Sequence, residues 1–184
     1  MAAGARLFAE RGYAGTTVAD IAAAAEVGTR TFFSYFTSKE ELLFPESADR
    51  ILACVEVISS ADPADPPAVV LSRTVGLVAG TDPDLVGPMA PLRVALARTE
   101  PAVSRVGAQF LLRAQQELTR ALVRRHPDDL DPVDAAAMVG AFVGAASGAV
   151  SAMLEQPDGG AELPVRLQRA VDSALAGWRD QTSK

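Results

Sequence analysis

A short segment, residues 27–43, carries side chains whose types and spacing suit recognition of another molecule. Its sequence is VGTRTFFSYFTSKEELL. At about 100° per residue, a helix through it places three phenylalanines within one arc of roughly 100°. The opposite side holds Arg30, Thr31, Ser34 and Tyr35. Arginine can pair with guanine in the major groove of DNA, and hydroxyl groups bind phosphates. The segment therefore predicts a short helix with a face that can read DNA.

The aromatic rings of this segment have a structural explanation. The chain is poor in aromatic residues, at 5% overall. A unit of about fifty residues has little apolar surface to bury, so it depends on large side chains. We therefore expect Phe32 and Phe36 to form the core of a small three-helix unit.

Other kinds of functional site have little support in the sequence. Cys54 is the only cysteine and His126 the only histidine, which excludes an internal disulfide, cysteine-based zinc patterns and a histidine metal cluster. A metal site built from carboxylates alone stays open. The acidic cluster at residues 128–134 is explained by helix caps and a solvated turn. No pair of titratable residues has a catalytic spacing, so we expect no enzyme activity, no cofactor and no metal.

The charge limits how much of the chain can contact nucleic acid. The net charge is −6 and the isoelectric point about 4.8, which argues against a protein that coats nucleic acid. A small DNA-reading face on an acidic body remains compatible with these values. Arg6, Glu10 and Arg11 interrupt the N-terminal apolar residues, so no signal peptide is predicted and a cytoplasmic location is expected.

Helical periodicity predicts an all-α chain. The first helix covers about residues 2–12 and ends at Gly12. Thr16 or Thr17 caps the second helix, and Thr17 with Asp20 makes a capping box. After a break at residues 26–28 comes the third helix. Ser38 is expected to cap a fourth helix, which is kinked or broken at Pro45. Further helices are predicted near residues 66–79, 84–98, 102–126, 132–156 and 161–181.

The N-terminal pattern resembles the DNA-binding segment of TetR-family transcriptional repressors. The shared features lie within LFAERGYAGTTVADIAAAAEVGTRTFFSYFTSKEELL, residues 7–43. They are the Leu-Phe and Gly-Tyr pairs, the two threonines, the DIA triplet, the aromatic residues of the third helix, and Ser-Lys at the fourth. The resemblance implies a helix-turn-helix domain at residues 1–45, with a truncated first helix, and a helical ligand-binding and dimerisation domain at residues 46–184.

The resemblance also implies residue roles in DNA binding. A threonine at the start of the second helix would touch a phosphate, and the third helix would enter the groove. The tyrosine hydroxyl would lie on the DNA backbone, and the lysine would add a phosphate contact. Phe33 stands where the family often has tyrosine, so packing is expected of it rather than reading. The implied DNA-binding residues are Thr17, Thr29, Arg30, Thr31, Ser34, Tyr35 and Lys39.

The sequence departs from the family pattern in the turn before the third helix. Glu26 stands where the family commonly has glycine, and a left-handed backbone there would cost about 1 kcal/mol. Gly28 stands where the family often has serine or another small residue, which removes one hydroxyl contact.

For the C-terminal half, the resemblance implies a homodimer and a pocket for a small apolar or amphiphilic effector. Small residues allow close approach of helix axes, which favours an interface between copies. The expected interface residues are Gly140, Gly144, Gly148, Val171, Leu175 and Trp178, with completion of the core by the same two helices as the alternative. The resemblance implies pocket positions for Met89, Leu92, Leu96, Phe110, Met138 and Phe142, although an ordinary core role is favoured for each of them taken singly.

Two alternatives to a ligand-responsive repressor of a palindromic operator remain open from the sequence. The run from Ala135 to Leu154 has no charged residue and is long enough to cross a bilayer. Its flanks are acidic instead of basic or aromatic, so a helix buried against a partner helix is favoured and no membrane partner is expected. The second alternative is an all-α small-molecule carrier or enzyme in which residues 1–45 form a structural cap.

Overall fold

The computed structural model describes residues 2–44, 47–81, 90–156 and 162–179, and these residues form helices and turns without a strand. The predicted all-α fold, with an N-terminal three-helix part and a larger helical part, is confirmed. The helices are α1 (Ala2–Arg11), α2 (Val18–Ala24), α3 (Thr29–Tyr35), α4 (Ser47–Ser60), α5 (Pro67–Thr81), α6 (Ala90–Thr99), α7 (Pro101–Arg125), α8 (Pro132–Leu154) and α9 (Leu163–Arg179), with a 3₁₀ helix at Lys39–Leu43.

Local signals in the sequence account for several helix ends. Gly12 ends α1 with φ of 74°, in the left-handed region that glycine tolerates. Pro101 and Pro132 are the first residues of α7 and α8, where the missing N–H has no helical partner to lose. Asp131 caps α8, because its carboxylate accepts from the Val133 amide at 2.7 Å. The start predicted for the helix at 84–98 lies outside the described residues.

The break predicted near Pro45 in the fourth helix is confirmed, but the α-helical form predicted for its first part is wrong. Residues 39–43 make a 3₁₀ helix, Ser38 makes no capping hydrogen bond, and the α-helix begins only at Ser47. The reason lies in Pro45, which disfavours helical backbone at the residue before it. Phe44 accordingly has φ of −123° and ψ of 53°, outside the helical region.

One compact unit combines residues 1–45 with residues 88–107. Its core gathers Leu7 and Phe8 of α1, Ile21 of α2, Phe32 of α3 and Leu43 of the 3₁₀ helix. The later segment adds a polar contact, because the buried Arg93 donates to the Leu43 carbonyl at 3.2 Å. Packing therefore extends this unit beyond the predicted functional boundary at residue 45, which itself stays a prediction.

The second compact unit comprises residues 46–87 and 108–184. Helices α5, α8 and α9 pack together there, and α4 packs on α5. A part-buried polar network joins α5 to α9: Ser72 Oγ donates to Asp172 Oδ1 at 2.7 Å, and Gln168 Nε2 donates to Ser72 Oγ at 2.7 Å. Such mutually satisfied polar groups help to fix the register of the two helices.

Helix α8 is long and apolar enough to cross a membrane by length and composition. A core helix of a soluble protein passes the same test. The structure gives α8 a core role, since seven of its residues are buried and it packs against α9 and α5. This packing is the arrangement that the sequence favoured over a membrane span.

Candidate nucleic-acid interface

The predicted capping box is present at the N-terminus of α2, the helix before α3. Thr17 Oγ1 accepts from the Asp20 amide at 3.1 Å, and the Thr17 amide donates to Asp20 Oδ2 at 2.9 Å. The Thr17 hydroxyl and the Thr17 amide both donate to the Asp20 carboxylate, and these two hydrogen bonds lower the pKa of the Asp20 carboxyl. Thr17 is exposed, so its observed role is that of a cap and its predicted phosphate contact stays a prediction.

Thr16 and Thr17 have different structural roles, and the sequence alone did not decide which of them caps α2. Thr16 is fully buried, and its hydroxyl turns back to the end of α1, where it donates to the Gly12 carbonyl at 2.8 Å. It thereby satisfies a carbonyl that the helix leaves unpaired. The threonine pair thus closes the α1–α2 turn from both sides.

The turn between α2 and α3 has the left-handed residue expected from the sequence. Glu26 has φ of 56°, and the Val27 amide donates back to the Ala22 carbonyl at 2.9 Å. Gly28 is the N-cap residue of α3 and supplies no side-chain hydrogen bond. The turn is therefore formed despite the glutamate, at a backbone cost of about 1 kcal/mol.

Aromatic side chains anchor α3 from one side. Phe32 is 5% exposed within the core, and its ring centroid lies 5.3 Å from that of the half-buried Phe36. This confirms the core role predicted for both residues. The packing predicted for Phe33 is wrong in the main, because this side chain is 55% exposed and touches Phe32 only edge-on, at 5.4 Å between ring centroids.

The other side of α3 presents the predicted polar face. Thr29, Arg30, Thr31, Ser34 and Tyr35 are all exposed, with Tyr35 exposed to 78%. Ser34 Oγ donates to the Thr31 carbonyl at 2.6 Å, which leaves its lone pairs free to accept. The face therefore offers donors and acceptors together, as reading of base edges and phosphates requires.

Arg30 is the cation of this face that is available to a ligand. Among residues 2–44, Arg6 lies near Glu10 and Arg11 near Asp20, each with 3.9 Å between the charged atoms. Within the described residues Arg30 has neither an ion pair nor a hydrogen bond. Its charge therefore stands unneutralised beside the hydroxyl groups of α3.

Lys39 has different partners from those implied by the resemblance. Its ammonium donates to the backbone carbonyls of Tyr13 and Thr16, at 2.9 Å each, and lies 4.1 Å from the centroid of the Tyr13 ring. The Tyr13 hydroxyl in turn donates to Glu40. We call Lys39, Tyr13 and Glu40 the turn clasp, because they tie the α1–α2 turn to the 3₁₀ helix.

The turn clasp shifts the pKa of Tyr13 and that of Glu40. Burial, together with the hydrogen bond to Glu40, raises the pKa of Tyr13 well above its usual value. Burial also acts to raise the pKa of Glu40, but the hydrogen bond from Tyr13 and other donors outweigh it, and the pKa falls below its usual value. Sequence reasoning missed Tyr13 and Glu40, since partners 27 residues apart leave no periodic signal.

The predicted pocket residues do not gather in one core. Leu92 and Leu96 pack on the core of the first unit. Met138 and Phe142 belong to the core of the second unit, where they are 3% and 7% exposed. Phe110 is half-buried, and Met89 lies outside the described residues. Their role in effector binding stays a prediction.

The predicted dimer residues divide into two groups. Val171 and Leu175 are fully buried within the chain itself, so they offer no surface to a second copy, and this part of the prediction is wrong. Trp178 is half-buried against the same core. Around Gly140, Gly144 and Gly148, by contrast, a Cβ atom would meet nothing within 4 Å, so this side of α8 is open.

No group of three or more histidine, cysteine, aspartate or glutamate side chains in the described ranges is arranged to hold a metal ion. Cys54 is buried, and this burial raises the pKa of its thiol. His126, also buried, has its pKa lowered by burial and by the nearby Arg125. The exposed face of α3 is therefore the candidate site for binding another molecule.

Comparison with known proteins agrees with this geometry. Residues 1–44 match the family model described as bacterial regulatory proteins, tetR family. The HTH-type transcriptional regulator TcmR of Streptomyces glaucescens is 36% identical over 133 residues, which cover 68% of this chain. The match spans 58% of that relative's length.

Solved structures share the fold. FadR of Thermus thermophilus, a TetR-family transcriptional repressor solved with lauroyl-CoA, aligns with a TM-score of 0.65 at 20% identity, over 96% of this chain and 91% of its own. A transcriptional regulator from Rhodococcus sp. RHA1 aligns with a TM-score of 0.52 at 18% identity, over 98% of this chain and 94% of its own. The family model matches the N-terminal segment, and the TcmR relative matches 68% of the chain. The chain therefore belongs to the TetR family of bacterial regulatory proteins.

Proposed function

We propose that the protein is a ligand-responsive, homodimeric transcriptional repressor that acts in the cytoplasm on a palindromic DNA operator. The observation that carries the proposal is the exposed face of α3, where an unpaired arginine stands among hydroxyl groups. A short helix anchored by buried rings and preceded by a tight turn is the form in which a helix-turn-helix unit enters the major groove. Thr29, Arg30 and Thr31 meet the bases in this proposal, and Tyr35 meets the backbone.

Binding to DNA is tested on a duplex selected by the protein from a random library. The double variant Arg30→Ala with Tyr35→Ala should lose at least tenfold in operator affinity, since each lost base or backbone contact is worth about 1–3 kcal/mol. Arg113→Ala removes an exposed arginine of α7 and serves as the matched control, with affinity expected to stay within twofold. If the double variant binds as tightly as the control, the proposed function fails.

Dimerisation is proposed on the open side of α8, which carries Gly140, Gly144 and Gly148. Exposed Val165 of α9, at 59% exposure, adds apolar area to this proposal. Two copies related by a two-fold axis would bring two α3 helices to half-sites about 34 Å apart along the DNA. One helix alone reads only a few base pairs, so the second copy supplies both affinity and operator symmetry.

A pair of glycine variants tests the dimer. Gly144→Arg places a long charged side chain on the open side of α8 and should yield monomers in sedimentation velocity. Gly76→Arg is the matched control, because this glycine is also exposed on a helix, α5, and its Cβ would likewise meet nothing within 4 Å. Equal dimer content in both variants would place the interface elsewhere.

An amphiphilic effector is proposed to release the DNA. Binding would shift the population towards a state in which the two recognition helices no longer match adjacent major grooves. Lauroyl-CoA is the first compound to test, because the Thermus thermophilus protein of the same fold was solved with it. It should dissociate the operator complex in a fluorescence anisotropy assay while coenzyme A alone does not; release by neither would argue against an acyl thioester.

A further inference from the structure

We infer that Phe33 determines operator specificity by contacting the C5-methyl group of a thymine in each half-site. This inference rests on the proposed function, since it needs α3 to enter the major groove. It assigns a base-reading role to a side chain that the sequence alone assigned to packing.

The exposure of Phe33 is the starting observation. The ring is 55% exposed although the unit is short of apolar material for its core. Its edge-to-face contact with Phe32, at 5.4 Å and 90°, holds it against a buried ring and limits its freedom. A large apolar side chain that is fixed but uncovered is well prepared to bury area against a partner.

The position of Phe33 on α3 says which partner it meets. At about 100° per residue, Phe33 lies about 60° from Arg30 around the helix axis and about 160° from Tyr35. It therefore shares the flank of the polar face that carries Arg30, whereas Tyr35 lies on the far flank. If Arg30 approaches base edges, the Phe33 ring approaches them too.

The chemistry of the groove then selects the contact. A phenyl ring has no hydrogen-bonding group, so it gains nothing from a phosphate or from the polar edge of a base. Among the four bases, only thymine presents an apolar group in the major groove, its C5-methyl, and phenylalanine is among the side chains that contact it. The contact distinguishes T·A from the other base pairs without a hydrogen bond.

Deoxyuridine substitution tests this contact directly, because it removes the methyl group and leaves base pairing unchanged. Each thymine of the selected operator is replaced in turn, and the affinity of the intact chain is measured. Burial of one methyl group is worth about a fourfold change in affinity. We expect one thymine per half-site to show this loss, and about a 15-fold loss when both half-sites carry the substitution.

Three variants assign the effect to the side chain. Phe33→Ala should bind more weakly and show no difference between thymine and uracil at the sensitive position. Phe33→Leu, which keeps apolar bulk, should retain part of the difference and covers the case of a poorly folded alanine variant. Leu112→Ala is the matched control: it removes an apolar side chain of the same 55% exposure from α7 and should leave both the affinity and the uracil effect intact.

The outcomes separate the inference from the proposed function. A selection that enriches no DNA sequence would defeat the proposed function itself. Operator binding with a flat uracil scan, or an undiminished uracil effect in Phe33→Ala, would overturn the role of Phe33 while leaving the repressor proposal in place.

Discussion

Replacement of Lys39 by methionine tests whether the turn clasp or a DNA phosphate is the main partner of this lysine. Methionine keeps most of the apolar stem and removes the ammonium. Two hydrogen bonds from a charged donor are lost, each worth about 1.5 kcal/mol at the low end that suits a half-exposed group. The contact with the Tyr13 ring adds about 0.5 kcal/mol. Side-chain entropy returned on release offsets about 1.5 kcal/mol, so the net loss of unfolding free energy is about 2 kcal/mol.

The assay is urea unfolding of the full chain, followed by circular dichroism and repeated as a thermal scan. For a protein of this size a loss of about 2 kcal/mol lowers the melting temperature by about 4–8 °C. Arg30→Met is the matched control, because it removes a positive charge from the same unit at a position without an internal partner. Its stability should stay within about 0.5 kcal/mol of the wild type.

Operator binding by the same two variants completes the comparison. A lysine on a phosphate contributes about one unit to the slope of log affinity against log salt, whereas an internal lysine contributes none. We expect Lys39→Met to keep the wild-type slope and Arg30→Met to lose affinity without losing stability. A slope reduced by about one unit per copy, with stability unchanged, would refute the turn clasp and restore the phosphate contact implied by the family.

Three further predictions concern the backbone, pH and the polar network. Glu26→Gly should raise the unfolding free energy by about 0.5–1 kcal/mol, because glycine tolerates the left-handed turn. Glu26→Gln changes only the charge, so its unfolding free energy measured in urea should not rise. Between pH 7 and pH 5 the chain should lose stability through His126: its folded pKa is lowered, so the unfolded chain takes up the proton first as the pH falls below about 6.5. His126→Leu should flatten this loss in urea titrations, and an equal loss in both proteins would contradict the assignment. Asp172→Ala should cost about 1–2 kcal/mol in thermal unfolding, since Ser72 and Gln168 lose their acceptor, whereas the exposed neighbour Ser173→Ala should be neutral; similar melting temperatures for the two variants would argue against the network.

Helix content and the polar face of α3 follow from local rules, and the sequence predicts them well. Periodicity, the Thr17–Asp20 capping box, the proline starts of α7 and α8, and the left-handed Glu26 all depend on neighbouring residues. For the fourth helix the sequence predicted the break at Pro45 but not the 3₁₀ form of residues 39–43, because a serine and acidic first-turn residues favour an α-helix that is here too short to form before the proline.

Contacts between residues that lie far apart in the chain could not be predicted from the sequence. Lys39 with its acceptors 23 and 26 residues away, and Ser72 with Asp172 a hundred residues on, are brought together only by packing. The same holds for Val171 and Leu175, whose apolar character suits an interface and a core equally, so that burial alone decides between them.

By itself, then, the sequence determined that the chain is helical, where its helix caps lie, and which side chains of α3 share a face, because these depend on spacing along one helix. Tertiary structure alone decided that Lys39 turns inward, that Phe33 stays uncovered, and that two expected interface residues fill the core. Those outcomes depend on which neighbours arrive from elsewhere in the chain, and no local pattern encodes that choice.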